Sequence, residues 1–205
     1  MNSFEQLQHL GSEAPHVFEN VATLLIKVEY PASLRTRLSR GDSGIDAWIA
    51  DPETARQHIF QVKFYSGALD SKRRSEIENS FQTAQTSSNV DMSRWTLCLP
   101  GRLSASDAKW FHDWRNGHSG VVIELWDGDK MMELLASSKA STARRELSRR
   151  GITGIPDGGA TLLPLVFVNI EDAAKRGFDS ALILQINNVG DKTAKVLKVK
   201  VKFTP

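Results

Sequence analysis

The chain has 205 residues, 24% of them charged and 40% hydrophobic, with a formal net charge of +2. That is enough chain for one good core, or one core with a small appendage, and the composition excludes a disordered, collagen-like or coiled-coil protein as the overall class. The weak positive balance excludes neither a nucleic-acid binder nor a metabolic enzyme, so the placement of the Arg and Lys clusters carries that question.

The single cysteine, Cys98, lies in the apolar run Trp95 to Leu99. It has no internal disulfide partner and reads as a buried, inert thiol of a reducing compartment. The first residues, Met-Asn-Ser-Phe-Glu-Gln, lack the basic and then apolar pattern of a secretory signal. No stretch approaches the ~18 apolar residues of a membrane span. The expectation is a soluble, cytoplasmic protein with no membrane partner.

Pro15 opens a helical stretch in which Val17, Val21 and Leu25 recur every four residues beside Phe18 and Ala22, an amphipathic helix against a core. Glu19 rides just off that stripe, where a carboxylate either faces solvent or looks inward at a site. Leu34 to Leu38 alternates, with Leu34, Thr36 and Leu38 on one face and Arg35 and Arg37 on the other, and Arg40 continues the basic series. This reads as a short strand with a basic outer face, serving either a polyanion or the guarding of a sheet edge.

Gly41 and Gly44 then bracket a tight approach to Ile45-Asp46-Ala47, a run apolar enough for a core strand. An aspartate there costs free energy unless it is paired or metal-bound. After the turn Asp51-Pro52-Glu53 comes His58 to Tyr65, whose alternation puts Phe60, Val62 and Phe64 on one side and Ile59, Gln61 and Lys63 on the other.

A helix is expected from about Ser71 to Gln85, capped by Asp70 or Ser71, with Ile77, Phe81 and Ala84 as its buried stripe. Lys72, Arg73 and Arg74 in its first turn oppose the helix macrodipole; contact with a polyanion explains them, and so does surface solubility. Arg94 to Pro100 is a central strand by its unbroken apolar run. Ser104 with Asp107 opens a helix running to Gly117. Val121 to Trp126 is a strand, followed by a helix around Met131 to Leu135. Strands separated by helices in this order describe an α/β core with a mixed or parallel central sheet.

Ser137 to Arg150 is short of apolar residues, and Gly151 to Gly159 has linker composition. The expected division is a core over 1–150, a linker over 151–160 and a strand segment over 161–205. In that last piece Leu162 to Ile170, Ala181 to Asn187 and Ala194 to Phe203 read as strands, with a hairpin turn over 188–192. Two or three strands seldom hold together alone, so the segment either packs on the core or belongs to a β-sandwich.

Asp46 and Gln61, facing one another across the hairpin, offer a carboxylate and an amide carbonyl, both hard oxygen ligands of the kind Mg²⁺ accepts. Lys63 places a cation beside a bound water or phosphate oxygen, and Glu19 adds a further ligand or holds a metal-bound water. Such a group of residues suits metal-assisted hydrolysis of a phosphodiester. The five histidines show no metal-ligand spacing, no Gly-rich phosphate loop ends in Lys-Ser/Thr, and no Gly-x-Ser-x-Gly elbow is present.

Glu19 on a helix, then Gly41-Asp-Ser-Gly-Ile-Asp46, then Gln61-Val-Lys63 resembles the PD-(D/E)XK nuclease superfamily, in particular its Mrr-like restriction endonuclease branch. The resemblance spans roughly residues 15 to 136. It implies a restriction-endonuclease-like α/β core with a mixed central sheet flanked by helices, joined to a C-terminal all-β segment, part of an Ig-like sandwich or an assembly element. It further implies catalysis by Glu19, Asp46, Gln61 and Lys63, and Mg²⁺ (with Mn²⁺ as a substitute) held by Asp46, Gln61 and Glu19. The implied substrate is double-stranded DNA, contacted by Arg35, Arg37, Arg40, Lys72, Arg73 and Arg74. Gln61 stands where much of the superfamily has a carboxylate, which removes one charge from the metal site. Similar domains are fused at the amino terminus of bacterial anti-phage effectors and occur in restriction systems, which implies a homo-oligomer or a larger effector assembly. The competing readings are a nuclease-like module that binds nucleic acid or a partner without cutting it, an RNA-cleaving effector, and a protein whose working part is the C-terminal segment.

Overall fold

A computed structural model of the chain describes residues 3–35, 45–50, 54–156, 162–169 and 181–188. The chain divides into two compact units, residues 1–156 and 157–205.

The first unit is built on a mixed sheet. Its strands are β1 (Leu34–Arg35), β2 (Ala47–Ala50), β3 (Gln57–Val62), β4 (Met92–Cys98) and β5 (Val122–Trp126), and their spatial order follows the sequence. The first two pairings are antiparallel and the last two parallel. The parallel pairings require crossovers, and α2 (Ser71–Thr86) and α3 (Ala105–Asn116) supply them. Together with α1 (Ala14–Glu29), α4 (Gly128–Ala136) and α5 (Ser141–Arg149) they cover both faces of the sheet.

Strand alternation decides which residue meets which layer. Phe60 and Val62 pack with the buried faces of α1, α4 and α5, and Ile59 packs with those of α2 and α3. β4 lies between two strands and between the two helix layers, so Trp95, Leu97 and Cys98 are all buried, which is why its sequence shows no alternation.

The helix signals act where they are written. Asp70 accepts from the Arg73 N–H at 2.8 Å, Ser104 from the Asp107 N–H at 3.2 Å, and Asp127 from the N–H groups of Asp129 and Lys130. Each satisfies a donor that the first helical turn leaves orphaned. Ile77, Phe81 and Ala84 form the buried stripe of α2.

Four features depart from the sequence reading. A 3-10 segment over Glu5–Glu13 precedes α1, fixed by Phe4 and Leu7, both fully buried. Gly11 at φ +56° kinks it so that the chain turns into α1, a conformation costly for a residue with a Cβ. Leu34, expected on an apolar strand face, is 54% exposed, because β1 is a two-residue edge strand with a single neighbour.

The stretch 137–150, read as short of apolar residues and given no element, forms a 3-10 turn (Ser138–Ala140) and α5. Its few apolar residues, Ala140, Ala143 and Leu147, fall at the spacing of one helix face and are all buried. Arg144 is buried with them because its guanidinium donates to the carbonyls of Leu135, Ser137 and Ser138 at the end of α4, groups that a helix C-terminus leaves unpaired.

The expected linker also starts inside the core. Ile152 is buried, Ser3 donates to the carbonyls of Thr153 and Gly154, and Gln6 exchanges hydrogen bonds with Thr153. Residues 157–160 lie outside the described residues.

The second unit contains an antiparallel pair, β6 (Leu162–Asn169) and β7 (Ala181–Asn188), in register from Leu162 opposite Asn188 to Asn169 opposite Ala181. The expected third strand at 194–203 and most of the hairpin turn at 188–192 lie outside the described residues. No helix among the described residues is long and apolar enough to cross a membrane.

Candidate active site

The β2–β3 register brings Asp46 to Gln61. Ala47 stands opposite Phe60, and the Asp46 N–H donates to the Phe60 carbonyl at 3.0 Å, carrying the ladder one residue past the end of β2. Where the ladder stops, the Asp46 carboxylate takes over. Its Oδ2 accepts from the Val62 backbone N–H at 2.6 Å and from Gln61 Nε2 at 2.6 Å. Hydrogen bonds to an ionised acceptor are short and strong, so this oxygen is held in place at the rim of β3.

Gln61 is 3% exposed. Its amide orientation is fixed by chemistry, because only the NH₂ end can donate to a carboxylate. The Oε1 end is therefore turned away from Asp46, and it is buried with no hydrogen-bond partner among the described residues. A buried acceptor left in that state costs about 1–3 kcal/mol.

Lys63 follows two residues later. Its N–H donates to the Cys98 carbonyl at 3.0 Å, extending the β3–β4 pairing beyond Val62. Tyr65 packs with the same cluster as Ile59, and Phe64 with the same cluster as Phe60, so the alternation continues and Gln61, Lys63 and Tyr65 share a face. The Lys63 side chain is half-buried and its ammonium is held by no carboxylate among the described residues.

Glu19 comes from the other layer and is half-buried on α1. Its neighbour Phe18 meets the ring of Phe64 at 5.7 Å between centroids, which sets the turn of α1 bearing Glu19 beside the end of β3. The Cys98 thiol, buried on the α1 side, is pushed far up by burial and secondarily by the charge of Asp46. The structure brings Asp46 and Gln61 into contact and puts Lys63 on their side. Glu19 stands on α1, in the layer on the other face of the sheet from Gln61 and Lys63.

No three His, Cys, Asp or Glu residues assemble as a metal cluster among the described residues. The donor set is of another kind, two carboxylates and an amide oxygen. The orphaned Oε1, at the end of the Gln61 amide turned away from Asp46, is a hard oxygen of the kind a Mg²⁺-class cation accepts, and it joins Asp46 on one ion when the amide turns over.

Of the basic residues, Arg37 and Arg40 lie outside the described residues, and Arg35 is the second residue of β1. Lys72 is exposed at the start of α2. Arg73 donates to the carbonyls of Ser66 and Ala68 and lies 5.5 Å over the Tyr65 ring. Arg74 pairs with buried Asp107 at 2.8 Å and lies 5.3 Å over the Trp110 ring. The cations of Arg73 and Arg74 thus order the loop and helix that follow β3.

Tyr65 was missed in the sequence, although the alternation that singles out Gln61 and Lys63 runs on to it. Its hydroxyl donates to Glu76 at 2.7 Å. Burial and that hydrogen bond push its ionisation far up, so it stays a neutral donor.

Comparison of the chain with family models, with curated proteins and with solved structures gives no match.

Proposed function

We propose that the unit over residues 1–156 is a metal-dependent endonuclease with a restriction-endonuclease-like core, hydrolysing phosphodiester bonds of double-stranded DNA in an anti-phage or restriction system. The observation that carries this reading is the buried Oε1 of Gln61, without a partner among the described residues, on an amide whose other end is bonded to the Asp46 carboxylate, with the Lys63 cation on the same face. A structural glutamine would use its carbonyl; one kept for a cation leaves it open.

In this reading Asp46, Gln61 Oε1 and Glu19 hold Mg²⁺, or Mn²⁺ in its place. The ion, when bound, supplies Lewis-acid stabilisation of charge on the phosphate and lowers the pKa of a water. The chain's own part is positional and electrostatic. The Val62 N–H keeps the Asp46 carboxylate from swinging away, and the Gln61 amide, which gives its Nε2 to Asp46 in the metal-free protein, turns over to offer Oε1 to the ion. The Lys63 ammonium meets the negative charge that builds on the phosphate oxygens as water attacks, a form of stabilisation that acts without reorganisation. Lys72 meets the flanking backbone as a point charge. The unit over 157–205, whose described residues pair as β6 and β7, serves assembly; a truncation after Pro156 that keeps the oligomeric state of the full chain overturns that assignment.

The test is plasmid cleavage by the full chain in Mg²⁺, in EDTA and with Lys63→Ala, alongside Mn²⁺ titration followed by electron paramagnetic resonance. Mg²⁺-dependent nicking that Lys63→Ala abolishes, with Mn²⁺ binding that Asp46→Ala abolishes, supports the reading. An equally intact plasmid with both proteins, and Mn²⁺ binding indifferent to Asp46, sinks it in favour of a module that binds without cutting. Cleavage of RNA in place of the plasmid moves the substrate and leaves the site.

A further inference from the structure

We propose that a ribbon of aromatic and cationic side chains leading away from Lys63 binds an unpaired, single-stranded segment of nucleic acid, with a base stacked on Trp110. The inference rests on reading the Asp46–Gln61 pair as the hydrolytic site, since it defines what that site is offered.

The ribbon begins at Tyr65, on the β3 face that carries Lys63. The Arg73 guanidinium covers the Tyr65 ring at 5.5 Å, and its neighbour Arg74 covers Trp110 at 5.3 Å. Trp110 in turn lies nearly parallel to Trp114, at 5.9 Å between centroids and 11° between planes. Two stacks therefore meet the start of α2, Arg73 on Tyr65 at the end of β3 and Arg74 on Trp110, with Trp114 beside it, on α3.

Each part is held rigid from beneath. Glu76 fixes the Tyr65 hydroxyl, and Asp107 fixes Arg74. Trp114 meets Phe81 and Trp95 edge-on at 5.5 and 6.0 Å. On the outer side, Trp110 and Trp114 line an open groove of about 490 Å³ with Ser106, Lys109 and Asp113. Both indoles are half-buried at the edge of the core cluster, Trp114 against Phe81 and Trp95 and Trp110 beside it, and each keeps part of its surface on the groove.

The chemistry selects the ligand. Aromatic faces interleaved with arginines stack bases with little regard to sequence, at ~1–3 kcal/mol per base. A paired base keeps its faces inside the duplex, so only an unpaired one can reach an indole. The phosphates need cations, and the ribbon has them. Arg73 spends its hydrogen bonds on neutral carbonyls, so its charge is uncompensated by them, and Lys72 is exposed beside it. Lys109 is balanced by Asp113 at 2.7 Å, which leaves the groove itself apolar and near neutral, a seat for a base more than for a phosphate.

The experiment is fluorescence anisotropy of labelled oligothymidine, oligouridine and a blunt duplex with the full chain in EDTA, which prevents cleavage of the probes. Wild type is compared with Trp110→Leu, Trp110→Phe and Ser106→Glu. Trp110→Leu should weaken single-strand binding by about fivefold or more, the factor expected for one lost stacking contact, while Trp110→Phe retains most of it and the duplex is little affected. Ser106→Glu puts a negative charge in the groove but an acid in the first turn of α3, where it favours the helix. Its loss of single-strand binding at undiminished Tm therefore separates binding from folding. Whichever oligonucleotide binds in this Trp110-dependent way supports the track and identifies its sugar. Single-strand binding unchanged in both Trp110→Leu and Ser106→Glu overturns it. So does an equal loss for duplex and single strand, or an altered oligomeric state with unchanged nucleotide binding, which would make the groove a contact between copies. If no variant or wild type cleaves any substrate in Mg²⁺ while the Trp110 dependence persists, the hydrolytic reading fails and the track stands.

Discussion

Asp107 Oδ1 accepts from Arg74 at 2.8 Å, while Oδ2 of the same carboxylate accepts from the Ser104 hydroxyl at 2.7 Å and the Leu69 N–H at 3.2 Å. One buried carboxylate thus joins the start of α2, the start of α3 and the loop after β3. Burial by itself raises the pKa of Asp107, but the hydrogen bonds from Ser104, Arg74 and Leu69 and the charge of Arg74 outweigh it and bring the group below the ordinary aspartate range.

The sign of the pH effect follows. A folded-state pKa below the unfolded value of about 3.9 means that the stabilisation is fully present above that value and is lost as pH falls through the folded pKa. Asp107→Asn, which leaves Arg74 uncompensated, should cost ~3–5 kcal/mol at pH 7 and flatten the fall in stability below pH ~4. Urea unfolding of both proteins from pH 7 to pH 3 measures this; parallel curves would refute it.

Replacing Gln61 by glutamate adds the charge that much of the resembled superfamily carries. In the metal-free protein it sets two carboxylates against each other where Nε2 now donates to Asp46 at 2.6 Å, so Gln61→Glu should lower Tm in EDTA. Mg²⁺ should then restore Tm by more than it raises that of wild type, because ligand binding to the folded state stabilises by mass action. Thermal melts across a Mg²⁺ series decide; a variant that melts lower with no extra response to Mg²⁺ counts against a cation at this position.

Lys63→Met keeps the length of the side chain and removes its charge. It should lower kcat by ~10²–10³, the usual loss for one electrostatic contact to a developing oxyanion, with the Mn²⁺ affinity within about twofold of wild type since Lys63 is no ligand. A loss confined to metal affinity would reassign Lys63 to holding the metal site together.

Leu147 is fully buried on α5. Its truncation to alanine should cost ~2–5 kcal/mol, as for other leucines in closed cores, seen as a lower urea midpoint at unchanged m value. A cost below ~0.5 kcal/mol, the level of a surface substitution, would contradict the packing of α5 on the core.

Cys98 is buried, and its thiol is pushed far above the ordinary range by burial and then by Asp46. Since the thiolate is the reactive form, Cys98 in the folded protein should resist a disulfide reagent at pH 8 and react within minutes in urea. Reaction of the native protein at the rate of a free thiol would contradict the packing of β4 against α1.

The capping of α2 and α3 was legible in the sequence because Asp70 and Ser104 act on N–H groups three residues away. The alternation of Ile59 to Tyr65 was legible because a strand turns every second side chain to the same layer. α5 was not, because Ala140, Ala143 and Leu147 are too few to mark a stripe until α1 and α4 are there to receive them. Nor was the 3-10 segment, whose anchors Phe4 and Leu7 have meaning only against α1.

The sequence by itself therefore determined the α/β class, the order of the five sheet strands with the helices α1 to α4, and the place of Asp46, Gln61 and Lys63 in or at the ends of neighbouring strands, since each of these follows from interactions spanning a few residues. The tertiary structure alone decided what those residues do to one another. That the Asp46 oxygen replaces a missing strand, that Gln61 Oε1 is left without a partner among the described residues, and that Arg74 lies between Asp107 and Trp110 all depend on groups brought together by chain closure over 15 residues or more. Such partnerships leave no period in the sequence, because the loop that closes them can take many lengths and compositions at nearly the same entropy.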